Sequence, residues 1–300
     1  MLAKEAPLKR VSKVNFLASL KSKPSVFRNA KRVTPSQNQR VANNLINLQK
    51  QLRSEAMGSL PREFKTIFEN QITKFKNEAL LLGSTTRLSS KSQPDETWSD
   101  EEIALVIAIL SEAASRAFIE DATLVQMARS KYQSLIDRAY TRSRFVLEEA
   151  DGLRNPNLIS RNENLITNTS KINEASYRFS ENKISKNVLS SSLLSSGTNW
   201  ADIVSTVGSS IEKRISTPSR LTTIARTDGG RAVDEGMKET LKKSEVASHC
   251  SVVGCMGIEP KIPTYNGVPT CNITDVPVID VDAVEFHINH TGLWVVSRYK

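Results

Sequence analysis

Apolar positions follow a helical period along most of the chain and turn strand-like only near its end. Val41, Leu45, Leu48 and Leu52 recur at spacings of four, three and four, which places them on one face of a helix starting near Ser36. Gly58 predicts its end, and Pro61 sits where a first-turn proline belongs. Phe64, Ile67, Phe68, Ile72, Phe75, Ala79 and Leu80 then define a second amphipathic helix that stops at Gly83. The spacing predicts an αα-hairpin over residues 37–83.

Residues 84–98 have the composition of a linker. Ser99 and Glu102 form a capping-box pattern, and neither Gly nor Pro interrupts the chain from Asp95 to Asp151. Ile103, Val106, Ile107, Leu110, Ala113, Ala117, Leu124, Met127, Tyr132, Leu135, Ile136, Tyr140, Phe145 and Leu147 keep helical spacing through this stretch. One straight helix over 99–151 would be about 75 Å long at 1.5 Å per residue, so a long helix or a helix pair broken near Glu120–Ala122 is expected. Residues 152–185 are rich in Asn and Ser, which favour caps and turns, and predict a connection with one short helix around 173–180.

A short Ser-rich helix is expected at 186–196. Asn199 can cap the next, with Trp200, Ile203, Val204, Val207, Ile211 and Ile215 inward. Thr217 caps a last helix with Pro218 at its first position, running to about Lys243. Beyond Ser244, the runs Val252-Val253, Val276–Ile279, Val284–Phe286 and Leu293–Val296 are divided by Gly and Pro and predict three or four short strands. The expected class is mainly α with a small C-terminal β subdomain (α+β), long helices and an extended N-terminal arm. Residues 186–300 form the helical plus small β C-terminal domain.

Charge adds the arm. Residues 1–40 carry ten Lys/Arg against one acid, which accounts for the whole net charge of +9; the other 260 residues balance at 31 against 31. Residues 1–36 hold Lys9, Arg10, Lys13, Lys21, Lys23, Arg28, Lys31 and Arg32, the candidate contacts to a partner or to DNA. The competing reading is a solvated tail. Apolar residues such as Leu8, Val14, Phe16, Leu17 and Phe27 exceed what such a tail needs, so ordering against a partner is expected. With 39% hydrophobic and 6% aromatic residues the chain is lean for one compact globule. No apolar run reaches the roughly 18 residues of a membrane span, and the first residues lack a secretory signal's apolar core. Three cysteines cannot all pair within one chain, which points to a reducing compartment.

Chemistry-bearing residues gather late in the chain. All three cysteines and all three histidines lie between His249 and His290. Cys250, Cys255, Cys271, His287 and His290 offer a Cys₃His or Cys₂His₂ set for one structural Zn, because thiolate and imidazole suit tetrahedral Zn²⁺. The alternative is cysteines packing as small hydrophobes and histidines hydrogen-bonding in turns. Asp275, Asp280, Asp282 and Glu285 raise the prospect of a Mg²⁺ or Mn²⁺ hydrolase site. On a strand, however, Asp280 and Asp282 share one side and Glu285 takes the other, so solvent-facing carboxylates are the favoured reading. Lys213, Arg214, Arg220, Arg226 and Arg231 stud two helices; nearby Asp228, Asp234 and Glu235 favour internal salt bridges over a phosphate groove. There is no glycine-rich phosphate loop, nucleophile elbow or kinase signature.

The run from Leu221 through Arg226-Thr227-Asp228, followed by Arg231-Ala232 and Gly236, resembles the "ARTE…A…N…G" helix of the minor head proteins of tailed bacteriophages, the phage Mu head-morphogenesis type. The resemblance covers roughly residues 186–300. Asp228 stands in place of the usual Glu and Asp234 where Asn is common. The family's terminal Pro-x-x-His-x-x-Cys-Arg-Cys run is absent, with His287–Gly292 its nearest equivalent. The resemblance implies a structural role for Arg226, Thr227, Asp228 and Arg231. It also implies a non-enzymatic virion protein, made in the host bacterial cytoplasm and present in the head in a few copies near the portal vertex. Such a protein contacts portal or major capsid protein and takes part in head assembly, DNA packaging or ejection. Two rival readings rest on the residues alone: a metal-dependent nuclease or hydrolase using the C-terminal Asp and His residues, and a free-standing cytoplasmic nucleic-acid-binding protein.

Overall fold

The computed structural model describes residues 35–86, 98–148, 159–188, 198–255, 263–271, 273–286 and 290–299. The basic arm, most of the 84–98 linker, the helix expected at 186–196 beyond residue 188, and His287 lie outside them. Six α-helices are described: α1 Pro35–Ser84, α2 Asp100–Ala114, α3 Thr123–Glu148, α4 Ile159–Val188, α5 Trp200–Ile215 and α6 Pro218–Lys243. They are followed by β1 Ala247–Val253, β2 Thr264–Tyr265, β3 Val268–Pro269, β4 Val276–Pro277 and β5 Leu293–Tyr299. The fold is therefore mainly α, with a small C-terminal antiparallel sheet in the order β4-β1-β5 and a separate β2-β3 pair. Among the described residues no helix is long and apolar enough to cross a membrane.

Three elements differ from expectation, each for a physical reason. Residues 37–83 form no hairpin: α1 is a single helix with Pro61 inside it. Leu52, Ala56, Leu60, Phe64, Ile67 and Phe68 are all buried at helical spacing on both sides of Gly58 and Pro61. An interior proline costs about 3 kcal/mol, and burying Leu60 and Phe64 at about 1.5–3 kcal/mol each offsets it. The expected 152–185 connection is instead largely the helix α4. Three of its described polar residues, Asn173, Ser176 and Ser180, find hydrogen-bond partners in helical conformation. Ser176 Oγ donates to Ile172 O and Ser180 Oγ to Ser176 O, both at 2.8 Å. Asn173 accepts from Gln71 Nε2 at 3.2 Å and donates to Asp121 O at 3.3 Å. Finally, Val284–Phe286 is no strand, because a 3-10 turn, Val278–Ala283, takes up the preceding residues.

Other local signals operate as read. Ser99 Oγ accepts from Glu102 N at 3.2 Å while Glu102 Oε2 accepts from Ser99 N at 2.8 Å. Asn199 Oδ1 accepts from Asp202 N at 2.9 Å, and Thr217 Oγ1 from Arg220 N at 3.3 Å. The α2 helix widens into a π turn, Ser115–Ile119, and α3 starts at Thr123, whose N–H donates to Asp121 Oδ1 at 2.8 Å. The interruption falls at Glu120–Ala122.

The chain divides into two compact units, each drawn from segments distant in sequence. Of the described residues, the first holds those up to Ala56, from Tyr132 to Ser160 and from Arg226 onward; the second holds those of Met57–Lys131 and Arg161–Ala225.

In the first unit the core joins Leu45 and Leu52 of α1, Ala139 of α3, and Val233, Met237 and Leu241 of α6 to Cys250, Val252, Trp294 and Val296 of the sheet. Ala42 and Ile46 pack with Val253, Leu293 and Val295 in a smaller cluster. Gly236 lets α6 approach α3 closely: a Cβ there would lie 2.5 Å from Ile136 O and 2.6 Å from Ala139 Cβ. In the second unit Phe64, Phe68, Ile72, Phe75, Val106, Leu110, Phe118, Ile203, Val207 and Ile211 are buried. Trp200 Nε1 donates to Ala79 O at 3.2 Å and lies where a Cβ on Gly83 would collide with it.

Candidate functional site

The helix that carries the family resemblance is, over residues 226–243, the most polar buried segment of the first unit. Asp228, Asp234, Lys238, Glu239 and Thr240 are all buried there. Buried charge is costly unless paired, and each of the first three has a partner. Asp228 accepts from Tyr132 Oη at 2.8 Å. Asp234 pairs with Arg53 Nη2 at 2.7 Å, and the same Nη2 donates to Gly292 O at 2.8 Å. Lys238 Nζ donates to Val284 O at 2.9 Å and lies 3.6 Å from Glu235 Oε1. Burial nevertheless raises both carboxyls to about 6: at Asp228 it outweighs the Tyr132 hydrogen bond and the Arg231 charge, and at Asp234 the Arg53 and Lys238 charges. Arg226 is exposed and Thr227 and Arg231 are half-buried.

Gln49 of α1 completes this frame. Its Nε2 donates to Trp294 O at 2.7 Å and its Oε1 accepts from Trp294 N at 2.9 Å. The side-chain amide thus stands in for a neighbouring strand along β5, an edge strand of the three-stranded sheet.

The cysteine and histidine cluster resolves differently from a four-ligand site. Cys255 and Cys271 are joined in a disulfide across a separation of 16 residues, so the odd cysteine count carries no message about the compartment. Cys250 is a free thiol buried in the core; its Sγ lies 3.5 Å from Val276 O, and burial pushes its pKa far up. The His290 ring stacks on Phe286 with centroids 3.6 Å apart, and its Nδ1 lies 3.4 Å from Cys255 Sγ. Phe286 also meets Trp294 edge-on at 5.5 Å, with Lys238 Nζ 5.6 Å from its centroid. Among the described residues no three His, Cys, Asp or Glu side chains are grouped to hold a metal ion.

The acidic residues do not converge either. Asp275 pairs with Arg298, Asp280 accepts from Tyr265 Oη at 2.9 Å, Asp282 pairs with Lys242 at 2.6 Å, and Glu285 is exposed. Asp280 and Asp282 lie in the 3-10 turn, so the alternation expected of a strand does not apply to them. The salt bridges expected between the arginines of residues 214–231 and the nearby acids are likewise not the ones formed. Asp234 takes Arg53 and Glu235 takes Lys238.

Reading the sequence alone missed Arg53, Gln49, Tyr132 and Phe286. The available signal was faint: Gln49 and Arg53 follow Leu45 at intervals of four, putting polar groups on an apolar helical stripe. This arrangement is suited to holding the helix and sheet in one geometry. No family model matches the chain, and no curated protein or solved structure matches it.

Proposed function

We propose that the protein is a structural, non-enzymatic component of a tailed-phage head, bound to portal or major capsid protein, whose basic N-terminal arm contacts packaged DNA. The observation that carries the reading is the charge distribution: the entire +9 resides in the first 40 residues while the remainder is neutral. Such an arm attracts phosphate without regard to sequence. The phage assignment itself comes from the resemblance of the Arg226–Gly236 segment. The partnered carboxylates of residues 275–282 and the disulfide-joined cysteines fit a shape-holding role better than a hydrolytic one. The protein acts by docking, with residues 1–36 ordering on the assembly and the C-terminal module keeping α6 in register beside the sheet.

Deletion of residues 2–36 tests this directly. The truncated chain is expected to fold and to be missing from purified particles. Normal incorporation together with normal DNA retention would overturn the proposal.

A further inference from the structure

The second unit contains a group of cations with no described carboxylate to neutralise them. Arg220, near the start of α6, is half-buried; its Nη2 donates to Ser176 Oγ at 2.9 Å and its guanidinium lies 5.7 Å from the Phe68 centroid. Arg214, in the last turn of α5, lies 5.7 Å from the centroid of Phe179, and Lys183 Nζ lies 5.9 Å from the same ring. None of the three forms an ion pair with a described residue. Burial, and then the charge of Arg214, lower the pKa of Arg220.

Two features make this more than a solvated face. Ser216, in the two-residue turn joining α5 to α6, has a buried hydroxyl without a hydrogen-bond partner among the described residues. The same turn leads into the N-terminus of α6, a 26-residue helix whose positive end adds to the local potential. Aromatic faces attract cations but leave their charge in place, and a half-buried guanidinium with a like-charged neighbour costs free energy that an oxyanion would relieve. Arginine favours phosphate because its planar fork offers two parallel donors.

We infer that Arg214, Arg220 and Lys183, with the Ser216 hydroxyl and the α6 N-terminus, form a binding site for a phosphate group. The site is separate from the basic arm and does not depend on the phage-head reading. Its ligand chemistry is a phosphate oxyanion, supplied either by free phosphate or by the backbone of a nucleic acid.

The experiment uses the full chain and inorganic phosphate, titrated calorimetrically in chloride buffer at constant ionic strength. One phosphate is expected per chain, with binding weakened about tenfold in Arg220→Gln and in Arg214→Gln, the loss of one charge-assisted hydrogen bond. The control variant Lys65→Gln, at an exposed position of α1 paired with Glu69, should bind phosphate as the wild type does. Competition with a short DNA duplex separates the sources: displacement of phosphate assigns the site to a nucleic-acid backbone, and failure to displace assigns it to free phosphate. Absence of phosphate binding in the wild type overturns the inference. So does unchanged binding in both arginine variants when circular dichroism shows the helices intact. If Arg220→Gln unfolds the chain, Arg214→Gln, at an exposed position, decides alone.

Discussion

The two halves of helix α6 treat charge in opposite ways. Residues 226–243 bury Asp228, Asp234 and Lys238 and give each a named partner. At the other end Arg220 sits half-buried against Ser176 and Phe68, with Arg214 as its charged neighbour and no described acid beside it. A charge that is buried and paired maintains structure. A cation ordered by its surroundings but left without a counter-charge is open to a ligand. The difference locates the shape-holding part of α6 in its second half and the recognition part at its start.

The strongest way to break that comparison is to remove one arginine from each half. Arg53→Met leaves Asp234 buried and unpaired and also strips a donor from Gly292 O; the expected cost is about 3–5 kcal/mol at pH 7, read by urea unfolding. Arg220→Met removes a cation that no acid requires. In phosphate-free buffer its cost should be well below that of Arg53→Met. Equal losses would mean that Arg220 is as structural as Arg53.

Next in size is the disulfide of the first unit. Replacing Cys255 and Cys271 by Ser releases the loop they close, and chain-entropy arguments put the loss at about 3 kcal/mol for a loop of this length. The same loss should follow from reductant on the wild type and be absent from the double variant. If reductant leaves the wild-type unfolding midpoint unchanged, the two sulfurs are not joined in solution.

The buried acids of the second half of α6 give a pH signature of comparable size. Asp228 and Asp234 are each raised from an ordinary value of 3.8 to about 6. Between those limits the folded protein holds protons that the unfolded chain has released, so stability falls as pH rises from about 4 to about 6 and levels off above. Each carboxyl contributes up to about 3 kcal/mol of that fall. Asp228→Asn, which leaves Tyr132 an oxygen to donate to, should reduce the slope and stabilise the protein near pH 7. The cost of Arg53→Met should shrink toward pH 4, where Asp234 is neutral. Stability that climbs from pH 4 to pH 6 would contradict this assignment.

How much of this was legible follows the range of the interaction. Caps at Ser99, Asn199 and Thr217 act within three residues, and their residue types and spacing display them directly. The buried faces of α2, α3 and α5 and the position of the sheet are legible in the same way, because a period of 3.6 or 2 is written along the chain. Pro61 misleads because its local preference is real and is overridden by the stripe running past it. Asn173 of α4 misleads because its satisfaction depends on Gln71 and Asp121, residues remote in sequence, and Ser176 and Ser180 mislead because their hydroxyls bond back to the helix's own carbonyls. Arg53 and Asp234 are 181 residues apart and Gln49 and Trp294 are 245 apart, separations over which no periodicity carries information. The arginines of α5 and α6 were visible as a group. What was not visible is that the neighbouring acids turn to other partners and leave Arg214 and Arg220 without a carboxylate partner among the described residues.

The smallest effect sharpens the contrast along α6 most cleanly. Thr217 caps the helix by accepting from Arg220 N, a contact with no ionisable side chain in it. Thr217→Ala should therefore cost about 1 kcal/mol, the usual loss for a removed cap, and the loss should be the same at pH 4 and at pH 7. Phosphate should partly restore the variant, because an oxyanion at the start of α6 can satisfy first-turn N–H groups that the threonine leaves behind. Rescue by phosphate and not by chloride at equal ionic strength would join the cap to the arginine group as one site. A pH-dependent loss would instead show that the start of α6 senses the buried acids of its second half, and the division of labour along the helix would fail.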